Sequence, residues 1–210
     1  MRERSLRVLA WAVVGFFGCG GAPTDALPAV GDTCMPLASP LPLVTAPGTG
    51  AAVHWRVPTT IQLELHPSMV AWLSTLDEAA RILMSVGSLS LTFSSASVVD
   101  FSLQEEAAPA RTIRFKPSPT PNVVSLSRLQ FVQSTGEILS AMVEIEPSLA
   151  PHTGLVAREL MRTLGFAHAP AGVPSLLALD ANLDTLPSAP TATDQEALLA
   201  RYGQARCSVE

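Results

Sequence analysis

From Val53 onward the chain switches between spacings of two and of three to four. Ile61, Leu63 and Leu65 alternate with Gln62 and Glu64, which predicts a strand over 57–65 with one apolar face. Met69, Trp72, Leu73, Leu76, Ala80, Leu83 and Met84 then follow helical spacing. They predict a helix from a Ser68 cap to about Val86, stopped at Gly87. Leu89, Leu91 and Phe93 alternate again, as do Val99, Phe101 and Leu103, and Ile113 and Phe115 between Arg114 and Lys116. A further strand is expected over 123–132. Thr135-Gly136-Glu137 reads as a turn. Leu139, Ala141, Val143 and Ile145 then share one face, with Ser140, Met142, Glu144 and Glu146 opposite and the two glutamates expected in water.

Thr153 is expected to cap a helix from Gly154 to about Leu164, which Gly165 stops. A loop rich in Pro, Ala and Leu covers 169–192. Thr193, with Glu196 three residues on, reads as the capping box of a last helix ending at Tyr202-Gly203. The order is strand, helix, several strands, helix, loop, helix. That order implies an α/β (α+β) domain with a single mixed sheet and about three helices.

The pattern before Val53 is different. Arg2, Arg4 and Arg7 precede an almost wholly apolar run from Val8 to Phe17, and Gly18-Cys19 ends it. This is the layout of a signal peptide over residues 1–18, too short for an anchor helix. Phe16-Phe17-Gly18-Cys19 resembles a bacterial lipobox, with Phe16 where Leu is usual. That resemblance implies cleavage before Cys19, acylation of its thiol, and membrane attachment in the cell envelope through the lipid, at the outer membrane. Cleavage after Ala22 or Ala26 is the alternative. Residues 19–50, with Pro23, Pro28, Pro36, Pro40, Pro42 and Pro47, read as an extended tether ahead of a domain over 51–210. If Cys19 carries lipid, Cys34 and Cys207 are left as an even pair in an oxidising compartment. A disulfide between them would contribute about 2–5 kcal/mol.

Composition narrows the function. The chain has 210 residues, with 13 Lys and Arg against 18 Asp and Glu, a net charge of −5. Without a basic block it lacks the electrostatic footprint of a nucleic-acid binder. Hydrophobic residues make up 48% and mean hydropathy is +0.33, yet no apolar stretch reaches the roughly 20 residues of a membrane span. With three cysteines and no C-x-x-C, a four-thiolate zinc site is excluded.

Chemistry concentrates in residues 154–168, Gly-Leu-Val-Ala-Arg-Glu-Leu-Met-Arg-Thr-Leu-Gly-Phe-Ala-His. Glu159, Gly165 and His168 stand in the register of the string H-E-x-x-H-x-x-G-x-x-H. In that string two histidines at i and i+4 share a helix face and bind zinc, and the glutamate acts as general base. The segment therefore resembles the zinc helix of metzincin peptidases, and Leu164-Gly165-Phe166-Ala167-His168 resembles its matrixin ending. Thr135-Gly136-Glu137-Ile138 with the strand to Ile145, and Asp194 to Gly203, resemble the flanking matrixin elements. The resemblance spans roughly Val53 to Gly203. It implies a metzincin-like fold, Glu159 in the place of the general base and His168 as the retained ligand position. It also implies an edge strand, here about Val123–Val132, along which peptide runs.

The departures weigh against catalysis. Arg158 and Arg162 replace the two helical histidines, and a guanidinium offers no lone pair to a metal. No methionine follows Met161, so Ser175-Leu176-Leu177-Ala178 would be the remnant of the family's Met-turn. The expectation is a domain without zinc or other cofactor and without peptidase activity, acting by peptide or protein binding. The alternative is an active zinc metalloendopeptidase with atypical ligands, for instance His152, His168 and Glu159. An unrelated α/β lipoprotein is the third reading. Arg158 and Arg162 read as a wet helix face, with Glu159 paired to Arg162. An anion pocket built from the two forks is the sharper option.

Overall fold

The computed structural model describes residues 38–178 and 182–203. Six strands form one mixed sheet: β1 (Thr59–Leu65), β2 (Leu91–Phe93), β3 (Ser97–Val98), β4 (Thr112–Pro117), β5 (Ser125–Phe131) and β6 (Ile138–Ile145). The order is β2-β1-β4-β6-β5, with β3 also on β1. All pairings are parallel except β5 with β6, so β5 is an antiparallel edge. Three helices complete the fold: α1 (Leu73–Met84), α2 (Thr153–Thr163) and α3 (Ala192–Tyr202). The expected α/β plan of one mixed sheet and three helices is the observed one.

Ile61, Leu63 and Leu65 of β1 and Ile113 and Phe115 of β4 are buried in the core with Leu76, Leu83, Leu155 and Leu160 of the helices. The far side of the sheet is covered too, which its sequence did not announce. Residues 99–103 do not form the expected strand; pairing ends at Val98, and the chain continues over β4. Arg114 reaches Glu64 at 2.6 Å and Glu105 at 2.8 Å, with its guanidinium 4.5 Å from the centre of the Phe101 ring. Lys116 donates to the carbonyls of Leu103 and Glu105. Beyond the exposed Leu139, β6 is buried on both faces from Ser140 to Ile145. Glu144, expected in water, is 1% exposed and lies 3.6 Å from Lys116 and 3.4 Å from Arg128.

Helix starts also differ from expectation. A 3-10 turn, Pro67–Trp72, precedes α1, and His66 caps that turn by accepting from the Ser68 N–H. His152, not Thr153, caps α2 by accepting from the Leu155 N–H at 3.1 Å. α3 starts two residues early: Thr191 and Asp194 form the capping box in place of Thr193 and Glu196. Asp194 wins because it is buried and serves a second partner set, Ser175 Oγ at 2.5 Å and the Leu176 N–H at 3.0 Å.

The packed domain begins by Leu41 rather than at residue 51, which shortens the expected tether. Leu41 and Ala46 are buried. Leu43 bridges Phe166, the Val44 N–H bonds to the Gly165 carbonyl, and the Ala167 N–H bonds to the Pro42 carbonyl. The chain leaving α2 has unpaired backbone groups, and this segment supplies their partners. The expected signal peptide, Cys19, Cys34 and Cys207 all lie outside the described residues. Among the described residues no helix is long and apolar enough to cross a membrane.

Candidate functional site

Helix α2 runs through the middle of the molecule with eight of its eleven residues buried, Glu159 among them. Gly154 permits this: a side chain there would strike the Pro187 carbonyl. Residues one turn apart share a face, so Arg158 and Arg162 stand side by side, and β5 lies across from them. Ser125 and Ser127, two apart on β5, point toward the same helix.

The result is a largely buried ion cluster. Glu159 is 0% exposed; Ser125 Oγ donates to its Oε1 at 2.7 Å and Ser127 Oγ to its Oε2 at 2.6 Å. Arg158 Nε donates to the same Oε1 at 3.2 Å, and its Nη2 donates to Ser125 Oγ at 3.2 Å. Arg162 Nη1 lies 3.6 Å from Oε1. Its Nη2 is 2.9 Å from Nε2 and 3.1 Å from Nδ1 of His168, and donates to whichever nitrogen carries the lone pair. The side chains of Arg158 and Arg162 are only 12% and 14% exposed. The expectation of a wet helix face is therefore wrong. Periodicity placed the two arginines together but could not show that β5 covers them.

Three groups have shifted protonation equilibria. Burial, the largest influence on Glu159, pushes its carboxyl up, but Arg162, Arg158 and the two serine hydroxyls together outweigh it and hold it below the usual range. Burial lowers Arg162, and Arg158 adds to that against Glu159. Burial also lowers His168, helped by Arg162 and opposed by a backbone hydrogen bond to Leu177. The cluster thus holds a carboxylate, two guanidiniums and an imidazole biased toward its neutral form.

The far end of α2 is braced by Trp55 and Tyr202, a role the sequence did not announce for either. Trp55 Nε1 donates to the Thr163 carbonyl at 2.8 Å, and the Tyr202 hydroxyl donates to the Leu164 carbonyl at 2.5 Å. Both satisfy helix-terminal carbonyls that lack intrahelical partners. Burial pushes the Tyr202 hydroxyl up to about 12. Gly165, at φ 91°, turns the chain out of the helix, where a Cβ would strike the Val53 carbonyl. His168 follows on the outgoing segment. The Ser175–Ala178 turn lies beside it, with the Ala169 N–H bonded to the Leu177 carbonyl.

This donor set does not suit zinc. Arg158 and Arg162, which stand where the resemblance implies two ligands, offer no lone pair; both Glu159 oxygens are hydrogen-bonded, and His168 faces Arg162. The substitute trio of His152, His168 and Glu159 is not assembled. His152 caps the N-terminus of α2 and His168 lies past its C-terminus, ends separated by about 16 Å at 1.5 Å per residue. Among the described residues no three His, Cys, Asp or Glu side chains are grouped to hold a metal. Ser125 and Ser127 are the site residues that sequence reasoning missed. Their signal was two small hydroxyls in alternation on a strand, where β-branched and aromatic residues prevail.

No protein-family model matches the chain, and no curated protein does. Among solved structures it is similar to high choriolytic enzyme 1, a hatching enzyme zinc-protease from Oryzias latipes (medaka fish), at 11% identity, covering 84% of this chain and 98% of that one, with a TM-score of 0.40. A likeness this distant transfers neither residues nor activity.

Proposed function

We propose that this chain is an exported, lipid-anchored domain of metzincin-like build that holds no zinc, cleaves no peptide, and acts by binding an extended peptide or protein segment along β5. The observation against peptide cleavage is the enclosure of Glu159, whose side chain is 0% exposed. A general base must present a free carboxylate oxygen to a reacting proton. Here Oε1 accepts from Ser125 and Arg158, and Oε2 accepts from Ser127.

The binding part follows from the ladder on β5. The Glu146 N–H bonds to the Val124 carbonyl, and the register pairs Leu126 with Glu144, Arg128 with Met142 and Gln130 with Ser140. Antiparallel pairs alternate between bonded and non-bonded. The even-numbered residues of β5 therefore bond β6, and Ser125, Ser127 and Leu129 turn their N–H and C=O groups to the open edge. Among the described residues no other strand pairs with that edge. An added strand uses such groups without any metal.

Metal analysis tests the reading. The full chain, dialysed against chelator and then given zinc, is expected to retain far less than one zinc per chain and to leave unfolded casein uncut. Stoichiometric zinc would overturn the zinc-free reading, and cleavage that chelator abolishes would establish the peptidase instead.

A further inference from the structure

We infer that the segment bound along β5 carries a carboxylate, from a free C-terminus or an acidic side chain, that seats on Arg158 and Arg162 beside Ser125. The inference rests on the peptide-binding reading above and adds the chemistry of the occupant.

The cluster has one charge too many. Two guanidiniums face one carboxylate; Glu159 is the only acidic partner of either arginine among the described residues. Burial lowers the basicity of both Arg162 and His168, and a neighbouring guanidinium adds to the effect at each. A buried positive charge without a counter-charge is costly, and an anion seated beside it offsets that cost.

The donors are also unspent. A guanidinium has five N–H groups. Arg158 uses Nε on Glu159 and one N–H of Nη2 on Ser125, and its Nη1 makes no hydrogen bond among the described residues. Arg162 Nε is buried and has no partner among the described residues. Planar forks with free N–H groups match a carboxylate bidentately.

Position selects a peptide as the source of that carboxylate. Arg158 touches Ser125 Oγ, and Ser125 is one of the residues whose main-chain groups face the open edge. A strand added there would lie about 4.8 Å from β5. Its terminus or side chains would then fall within reach of the arginine forks, so the main chain supplies affinity and the charge sets register.

The test presents the full chain with three pools of N-acetylated octapeptides. All are randomised without Pro. The first lacks Asp and Glu and ends in an amide; the second lacks Asp and Glu and ends in a free carboxylate; the third ends in an amide and carries one Asp or Glu. Retained peptides are counted by mass spectrometry. At least tenfold enrichment of the second or third pool over the first is expected, and which pool wins identifies the source. Arg158→Gln removes the surplus charge while leaving Arg162 beside Glu159, and should bring the preference to within twofold of parity. Equal retention of all three pools by the wild type would overturn the carboxylate inference and leave peptide binding standing. Retention of none would overturn both. A preference that persists undiminished in folded Arg158→Gln would also overturn the assignment to these arginines. The wild-type comparison decides the question even if the variant does not fold.

Discussion

Ser127 and Glu159 are 32 residues apart in sequence, yet the hydroxyl of one donates to the carboxylate of the other at 2.6 Å, with both side chains buried. This contact joins the edge strand to the central helix. It also turns a residue in the register of a general base into the hub of a structural cluster.

That hub should be expensive to disturb. Ser127→Ala strips a hydrogen bond from a buried carboxylate and is expected to cost about 1–3 kcal/mol. Glu159→Gln leaves two largely buried guanidiniums without their anion and should cost about 3–5 kcal/mol. Urea unfolding followed by circular dichroism measures both. A Glu159→Gln protein as stable as wild type would show that the cluster does not hold α2 to β5.

Acid should weaken the fold in two stages. His168 is held below its ordinary 6.5, so once the pH drops under 6.5 the unfolded chain binds this proton more readily than the folded one. Stability from this source is full above 6.5 and declines as pH falls toward the lowered value. Glu159, held below 4.5, adds a loss that begins only under 4.5. His168→Gln, which keeps an acceptor for Arg162 without a titrating group, should flatten the first stage and leave the second. Melting temperatures of both proteins from pH 8 to pH 3.5 would reveal this; identical profiles would exclude His168 as the source.

Gly165→Ala tests the exit from α2. The backbone there sits at φ 91°, and the added methyl would meet the Val53 carbonyl. A loss of at least about 1–2 kcal/mol is expected from the backbone conformation alone, with the collision adding to it. Thermal melting reads the result, and an unchanged midpoint would mean that the helix exit is not so confined.

Reversal of the two arginines probes descent. Arg158→His with Arg162→His places two imidazoles one turn apart, frees one side of Glu159 and leaves His168 available. This double variant should take up about one zinc per chain, since three protein ligands with an open fourth position make a catalytic zinc site. Casein cleavage is expected to lag, because residues behind the ligands also tune such sites. A folded double variant without zinc would count against a metzincin origin.

The termini carry their own expectations. Cys19→Ser should release the protein from membranes on fractionation, and equal membrane retention would refute lipid attachment there. Cys34 and Cys207 should resist alkylation until reductant is added, as intact mass would register. Two thiols alkylated without reductant would exclude the bond.

Much of the architecture was legible because it depends on local spacing. Alternation located β1, β2, β4 and β6, and helical spacing located α1, since each pattern reports which side chains share a face. The Gly165 stop was legible for a similar reason, being a conformation few other residues adopt. The same spacing put Arg158, Glu159 and Arg162 within a turn of one another. It could not say what the arginine face meets, because a helix presents the same face to water or to a strand 32 residues away. Whether Glu144 lies in water or between Lys116 and Arg128, whether Thr191 or Thr193 caps α3, and whether 41–50 is tether or packing depended likewise on distant partners. For Glu159 that difference is decisive. The sequence by itself determined that a carboxylate flanked by two cations stands on a central helix. Only the tertiary structure decided that Ser125 and Ser127 close over it, because a buried charge takes its role from whichever groups desolvate and hydrogen-bond it.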